Sequence, residues 1–359
     1  MAGRFRPLSQ YPVKKGESVM TIAIMGAGSL GTIIGALTVK NGTDVLLIDA
    51  NKEHVAALNN NGATVTGKME LNVPVQAITP DQMSGIYDIV LYLVKQTHNE
   101  TALRQILPHL GGHSVVCTLQ NGVPEDAVAA VVGRERTMGG AVGWGATWIS
   151  PGVSMLTSEP GKMTYDIGEM DNTITERLQK VAAILNLSAK TEMVTNLAGM
   201  RWTKLLVNAT FSGMSAALGC TFGEVMDNDK ALACVSHIAS ETIAVVTALG
   251  ITMEPIQGHD LRILSFRTRQ EMLAKFPIYK MVWGPHRLLK ASMLQDLEKG
   301  HKTEIGAING VVCDYGRIAG VPTPVNDKVV AIIRGAEEGK NGYTFANLDL
   351  FDLPELPES

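Results

Sequence analysis

Cysteine is scarce in this chain, and the few present exclude more than they suggest. Cys117, Cys220, Cys234 and Cys313 lie far apart with no CxxC among them. That spacing fits reduced thiols in a cytosolic protein and argues against a disulfide framework or a zinc site. The histidines form no HExxH or comparable pattern, so no metal ligand set is expected. Charge is sparse as well: 18% of residues are charged and the formal net charge is −4, which argues against non-specific binding to nucleic acid or to acidic membranes. No apolar run of about 18–20 residues, the length that spans a bilayer, is expected. The opening stretch MAGRFRPLSQYPVKKGESVM lacks the apolar core of a secretory signal. Residues 1–20 are basic and proline-containing, and are expected to be a disordered leader with Met20 a natural start for the folded part. No internal repeat or low-complexity stretch interrupts the chain. These absences leave a cytoplasmic protein that works on small molecules, without nucleic acid or membrane as a partner.

What is present is more telling. The 359 residues are 45% hydrophobic, enough for a large core, and at roughly 100–200 residues per domain they suggest two domains. Residues 21–49, TIAIMGAGSLGTIIGALTVKNGTDVLLID, hold a β-rich run, a GxGxxG turn, a helix-period run stopped by Asn41-Gly42, and a second apolar strand ending in Asp49. Each part has a physical task in a dinucleotide site. Gly26 allows the tight turn out of the strand, Gly28 lets backbone approach a pyrophosphate, and Gly31 lets the helix pack closely on the sheet. The free N–H groups of that helix then face phosphate. The candidate cofactor residues are therefore Gly26, Ala27, Gly28, Ser29, Leu30, Gly31 and Asp49. The carboxylate of Asp49 is placed to accept hydrogen bonds from an adenosine ribose.

The strand–helix alternation continues. Ala63–Thr79 reads as small strands at a sheet edge. Tyr87–Val94 is a nearly continuous apolar run, as in a parallel strand covered on both faces, and it ends at Lys95. Ser114–Leu119 is similar and ends in Gln120-Asn121-Gly122. Ligands of open parallel sheets bind beyond the carboxyl ends of strands, which marks Lys95 and Asn121, although each alone is an ordinary solvated or turn residue. Residues 137–170, rich in glycine and β-formers, are expected to close the first domain. The character changes near Thr191–Asn196 to long helical patterns. The expected fold class is an α/β Rossmann domain with a doubly wound, mostly parallel sheet over 21–192. An all-α domain follows over 193–342, then a flexible tail over 343–359.

Within the helical half, Lys204, Asn208 and Ser212 stand at i, i+4 and i+8 on an otherwise apolar helix. The stripe faces either solvent, as in any amphipathic helix, or a cavity, and spacing alone leaves both open. Farther on, Glu304, Ile308, Val311, Val312 and Tyr315 follow helical spacing in a helix expected over 304–319. Glu304 then continues an apolar face, which favours a partnered carboxylate over a simple first-turn glutamate.

These residues carry a resemblance. With GAGSLG at 26–31, VKQT at 94–97, LQNGV at 119–123, WTKLLVNA at 202–209, SMLQDLEKGHKTEIGAING at 292–310 and GVPTPVN at 320–326, the chain resembles the ketopantoate reductases (2-dehydropantoate 2-reductases) over roughly residues 21–335. Ser292 and Glu304 are twelve apart, as the family pattern requires. The resemblance implies a Rossmann domain followed by an all-helical substrate domain. It also implies Lys204 as general acid toward a substrate carbonyl, and Glu304 as the residue that holds the substrate's hydroxyl end and orders the site. Asn208 and Ser292 would bind substrate, Ser292 near its carboxylate, while Asn121 and Lys95 would line the cofactor and substrate cleft.

Three departures stand out. Ser212 replaces a frequent second asparagine, and a long segment over about 253–290 is able to reshape the substrate mouth. Asp49 stands where NADP-dependent members have a neutral or basic environment.

The implied activity is reduction of a small 2-oxo acid by nicotinamide hydride transfer, 2-dehydropantoate to pantoate, a step of pantothenate biosynthesis. A related reductase acting on another branched 2-oxo or 2-hydroxy acid, or on an opine-like compound, is the alternative. A non-catalytic nicotinamide-binding sensor is a third reading, one that needs the glycine motif but neither Lys204 nor Glu304. Asp49 favours NAD(H). NADP(H) is the family-typical alternative, with Lys52 available to meet a phosphate. The apolar helices of the second domain leave a homodimer open.

Overall fold

The structure is a computed structural model that describes residues 20–256 and 258–358. Apart from Met20, the leader expected over residues 1–20 lies outside the described residues.

Ile22–Met25 (β1) is buried along its length and turns at Gly26 toward the helix Ser29–Lys40 (α1). Asn41 closes that helix by donating from both main chain and side chain to the Leu37 carbonyl. Leu46–Ile48 (β2) then runs parallel to β1, and Lys52–Asn61 (α2) follows. Ala63–Gly67 (β3), Leu71–Val73 (β4) and Gln76–Ile78 (β5) are short. The alternation resumes with Ile89–Tyr92 (β6), Asn99–Ile106 (α3), Val115–Thr118 (β7), Glu125–Val132 (α4) and Thr137–Val142 (β8). Ala146–Ser150 (β9), Val153–Leu156 (β10), Thr164–Glu169 (β11), Glu176–Leu185 (α5) and Lys190–Met193 (β12) follow.

The main sheet has eight strands in the order β12-β11-β8-β7-β6-β1-β2-β5. Its pairs are parallel except for antiparallel β8 and β11. Strand order reverses between β1 and β6, which opens a crevice at their carboxyl ends. Apolar side chains cover both faces, so β1, β6 and β7 are buried at every position.

One expectation about the strands needs correction. β3 and β4 do not flank the main sheet. They join β9 and β10 in a separate four-stranded sheet, in the order β4-β3-β10-β9, that packs on α1; β5 alone reaches the main edge. The small sheet depends on a parallel pairing of β3 with β10, distant in sequence, which local alternation does not report.

The second half is helical: Leu197–Val207 (α6), Gly213–Leu218 (α7), Phe222–Met226 (α8), Asp229–Ala248 (α9), Arg269–Trp283 (α10), Ser292–Glu298 (α11), Asn309–Ala319 (α12) and Pro324–Glu337 (α13). A π-helical turn, Asn208–Ser212, links α6 to α7. By length and composition α9 is long and apolar enough to cross a bilayer, contrary to expectation, but most of it is buried in the core of this domain. The segment expected as a flexible tail over 343–359 is also packed, as far as it is described. Phe345–Leu350 forms a 3-10 turn, Leu348 and Phe351 are buried, and Asn347 donates to the Ala217 carbonyl at 2.8 Å. Its apolar side chains find a groove beside α7 and are sequestered from water there.

Candidate active site

The Gly26–Gly31 turn is closed on one side and open on the other. Gly26 sits at φ +93°, and a Cβ there would come within 2.6 Å of the Val94 amide nitrogen. A Cβ on Gly31 would strike the Gly26 carbonyl oxygen. At Gly28, by contrast, a Cβ would meet nothing within 4 Å. α1 starts with no side-chain cap and no acidic residue in its first turn. Its first N–H groups and positive dipole end are therefore available to an anion. Gly26, Gly28, Ser29, Leu30 and Gly31 line a cleft of about 1060 Å³. A dinucleotide pyrophosphate fits such a cradle.

Asp49 lines the same cleft from the end of β2. Its Oδ1 accepts the Asn51 amide at 2.9 Å, while Asn51 rather than Asp49 caps α2 by accepting from the His54 amide. Lys52 begins α2 and is exposed, and it is not among the cleft-lining residues.

The far wall comes from the helical domain. Lys204, Asn208, Ser292 and Glu304 line the cleft opposite Lys95 and Asn121. The Lys204 ammonium donates to the Val142 carbonyl at 2.7 Å, so the carboxyl end of β8 fixes its position. Burial lowers the pKa of Lys204 to about 7, with the neighbouring Arg201 guanidinium acting in the same direction and Asp166 opposing. Glu304 accepts the Gln96 amide at 2.9 Å. Its carboxyl is pushed up by burial, and the Gln96 amide and Lys95 partly offset that shift. Lys95 pairs with Asp296 at 2.7 Å. Gln96 also donates to the Asn121 carbonyl at 2.5 Å, so the loops after β6 and β7 are tied to one another and to the second domain.

Four expectations do not hold as read. Ser212 is not a cleft-lining residue. The stripe with Lys204 and Asn208 assumed an unbroken α-helix, but the π-helical turn at Asn208–Ser212 alters the angular step, so position i+8 no longer follows i and i+4. Ala27 does not line the cleft either; it is fully buried and its carbonyl accepts from Thr32 Oγ1. Glu304 does not start a long helix. It precedes a short 3-10 turn, Ile305–Ala307, and Ile308, at φ −107° and ψ −92°, breaks the register before α12. The described residues of the 253–290 segment do not line the cleft, whose lining passes from Asn208 to Ser292. Its Phe276, Tyr279 and Trp283 are buried in the helical core instead.

Other residues of the site went unread in the sequence. Arg201, 1% exposed, binds Glu125 at 2.5 Å and the carbonyls of Gln120 and Thr118 at 2.7 and 2.8 Å. It pins α6 to the carboxyl end of β7. Trp144 and Trp148 line the cleft from the connection after β8 and from β9. Arg201 falls three residues before Lys204, one helical turn away, and that spacing was the available signal.

Residues 22–172 match the family described as Ketopantoate reductase PanE/ApbA, and residues 196–337 match its C-terminal counterpart, Ketopantoate reductase PanE/ApbA C terminal. The chain is 29% identical over 322 residues to the 2-dehydropantoate 2-reductase of Archaeoglobus fulgidus, a match covering 89% of this chain and 99% of that one. A PanE/ApbA family ketopantoate reductase from Ralstonia eutropha JMP134 superposes with a TM-score of 0.75 at 26% identity, over 89% of this chain and 99% of that chain. D-mandelate dehydrogenase, solved with NADH and anilino(oxo)acetate, superposes with a TM-score of 0.78 at 24% identity, over 90% of this chain and 100% of that chain. The last is a likeness of fold.

Proposed function

The chain belongs to the ketopantoate reductase family, and from that premise we propose that it reduces 2-dehydropantoate to pantoate, with Lys204 as the general acid. The observation that carries this reading is a cleft-lining lysine whose pKa is lowered to about 7. Proton transfer is most effective when the donor's pKa lies near the working pH. A bound nicotinamide would supply the hydride to the carbonyl carbon. Lys204, held by the Val142 carbonyl, keeps N–H bonds free to point into the cleft and gives one proton to the developing alkoxide, leaving a neutral amine. Asn208 stands one turn along the helix as a donor to the substrate. Ser292, at the start of α11, is suited to the carboxylate, because the first N–H groups of a helix and a hydroxyl both donate there. Glu304, fixed by the Gln96 amide, is available to accept from the substrate's hydroxyl. Lys95 and Asn121 complete the wall on the first domain.

Asp49 supports NADH over NADPH. A carboxylate accepts hydrogen bonds from the ribose hydroxyls of NADH but repels a 2′-phosphate. A second reading, a 2-oxo acid with a larger side chain, is supported by Trp144, whose buried indole lines the cleft two residues beyond Val142.

Turnover of the purified full chain with a panel of 2-oxo acids and each cofactor tests these assignments. We expect oxidation of reduced nicotinamide with 2-dehydropantoate, a higher kcat/KM with NADH, and a shift of that ratio toward NADPH in Asp49→Ala. Inactivity across the panel removes the reductase reading. An unchanged cofactor ratio in the variant removes Asp49 from the site.

A further inference from the structure

The adenosine end of the cleft contains a built arrangement that the proposed chemistry does not use. His54 is fully buried. Its Nδ1 accepts the Gly152 amide at 2.9 Å, so the ring proton is assigned to Nε2, which donates to the Ala27 carbonyl at 2.7 Å. The imidazole thus ties the turn between β9 and β10 to the glycine-rich turn. Trp148, on β9, packs on that ring with centroids 4.5 Å apart and planes at 52°. It is half-buried and lines the cleft together with Gly28, Ser29, Asp49 and Asn51.

Sheet geometry gives the cleft two ends. Lys204 is held at the end of β8, and Asp49 follows β2, four strands along the sheet. At about 4.8 Å per strand these ends are on the order of 20 Å apart, a span suited to an extended dinucleotide. Through His54, Ala27 and Asn51, Trp148 belongs to the β2 end.

We propose that Trp148 is the apolar wall of the adenosine subsite, packing against the adenosine of a bound dinucleotide and, with Asp49, selecting against a 2′-phosphate. This rests on the reading of the cleft as a nicotinamide site. An aromatic face offers a flat, partly dehydrated surface to a purine or ribose. The same face carries negative partial charge and, beside a carboxylate, gives a phosphate no donor. His54 supplies the rigidity: a ring hydrogen-bonded at both nitrogens cannot rotate away, so the indole is presented in one orientation.

The test is calorimetric titration of the full chain with ADP-ribose, NADH, NADPH and nicotinamide mononucleotide, for the parent, Trp148→Ala and Trp148→Phe. Base–aromatic stacking predicts a roughly five- to hundred-fold loss of ADP-ribose and NADH affinity in Trp148→Ala, with nicotinamide mononucleotide unaffected. Trp148→Phe should keep ADP-ribose affinity within about threefold while weakening the quenching of tryptophan emission by that ligand. It keeps the proposal testable if the alanine variant fails to fold. ADP-ribose affinity unchanged in Trp148→Ala, or quenching undiminished in Trp148→Phe, overturns the proposal while leaving the cofactor reading intact. Failure of the parent to bind both ADP-ribose and NADH overturns the cofactor reading and this proposal with it.

Discussion

On the proposed mechanism Lys204 arrives as an ammonium and leaves as an amine in every turnover, and a pKa lowered to about 7 puts both forms within reach near neutral pH. The sign of the pH dependence follows. Reduction needs the protonated lysine, so kcat/KM for the 2-oxo acid should be level below about pH 7 and fall about tenfold per pH unit above it. Asp166 opposes the lowering, and Asp166→Asn should therefore move the break to lower pH. A profile that stays flat to pH 9 would mean that the working acid keeps an ordinary lysine pKa. Lys204 and Asn208 were legible because polar groups on an apolar helix require a reason, though spacing alone could not choose between cavity and solvent. Trp144 and Trp148 were not legible, since indoles among β-formers read as sheet packing, and only the fold brings them to the cleft.

At the scale of elements, the joint between α6 and β7 rests on a buried arginine. Arg201→Ala would leave Glu125, whose carboxyl burial already pushes up, without its cation, and two carbonyls without donors. Removing one partner of a buried ion pair costs about 3–5 kcal/mol, and urea unfolding should report a loss of that size. A loss under about 1 kcal/mol would mean that water replaces the guanidinium. Such a joint is hard to foresee, because an arginine inside WTKLLVNA's own helix looks like a solvated residue until β7 is laid beside it. The parallel strands were readable: Tyr87–Val94 and Ser114–Leu119 are apolar on both faces because helices cover both. The phase of α6 was not. A π-turn adds a residue without changing composition, so the pattern that joined Lys204 to Asn208 also extended, wrongly, to Ser212. Glu304 illustrates the reverse. The helix argument for its orientation fails at Ile308, yet the carboxylate lines the cleft through a different local structure.

For the whole molecule, the cleft exists only where the two domains meet. Lys95 with Asp296, the Gln96 amide with Glu304, and Arg201 with Glu125 cross that boundary. Gly122, at φ +81°, lets the loop after β7 lie against Ala307, whose carbonyl oxygen a Cβ would strike. The first domain contributes the uncapped start of α1 and the Asp49 carboxylate, and the second contributes Lys204 with polar residues around it. The change of pattern near residue 193 falls between β12 and α6, where strands give way to helices. The contacts that hold the domains together were not legible, because each joins residues remote in sequence. On the proposed mechanism this junction places Lys204 to protonate a substrate carbonyl. The most direct measurement is steady-state reduction of 2-dehydropantoate by Lys204→Ala beside the parent, with NADH affinity determined for both. The expected loss in kcat is about 10²–10⁴-fold with cofactor affinity unchanged within about twofold; a loss below about threefold would rule out Lys204 as the general acid.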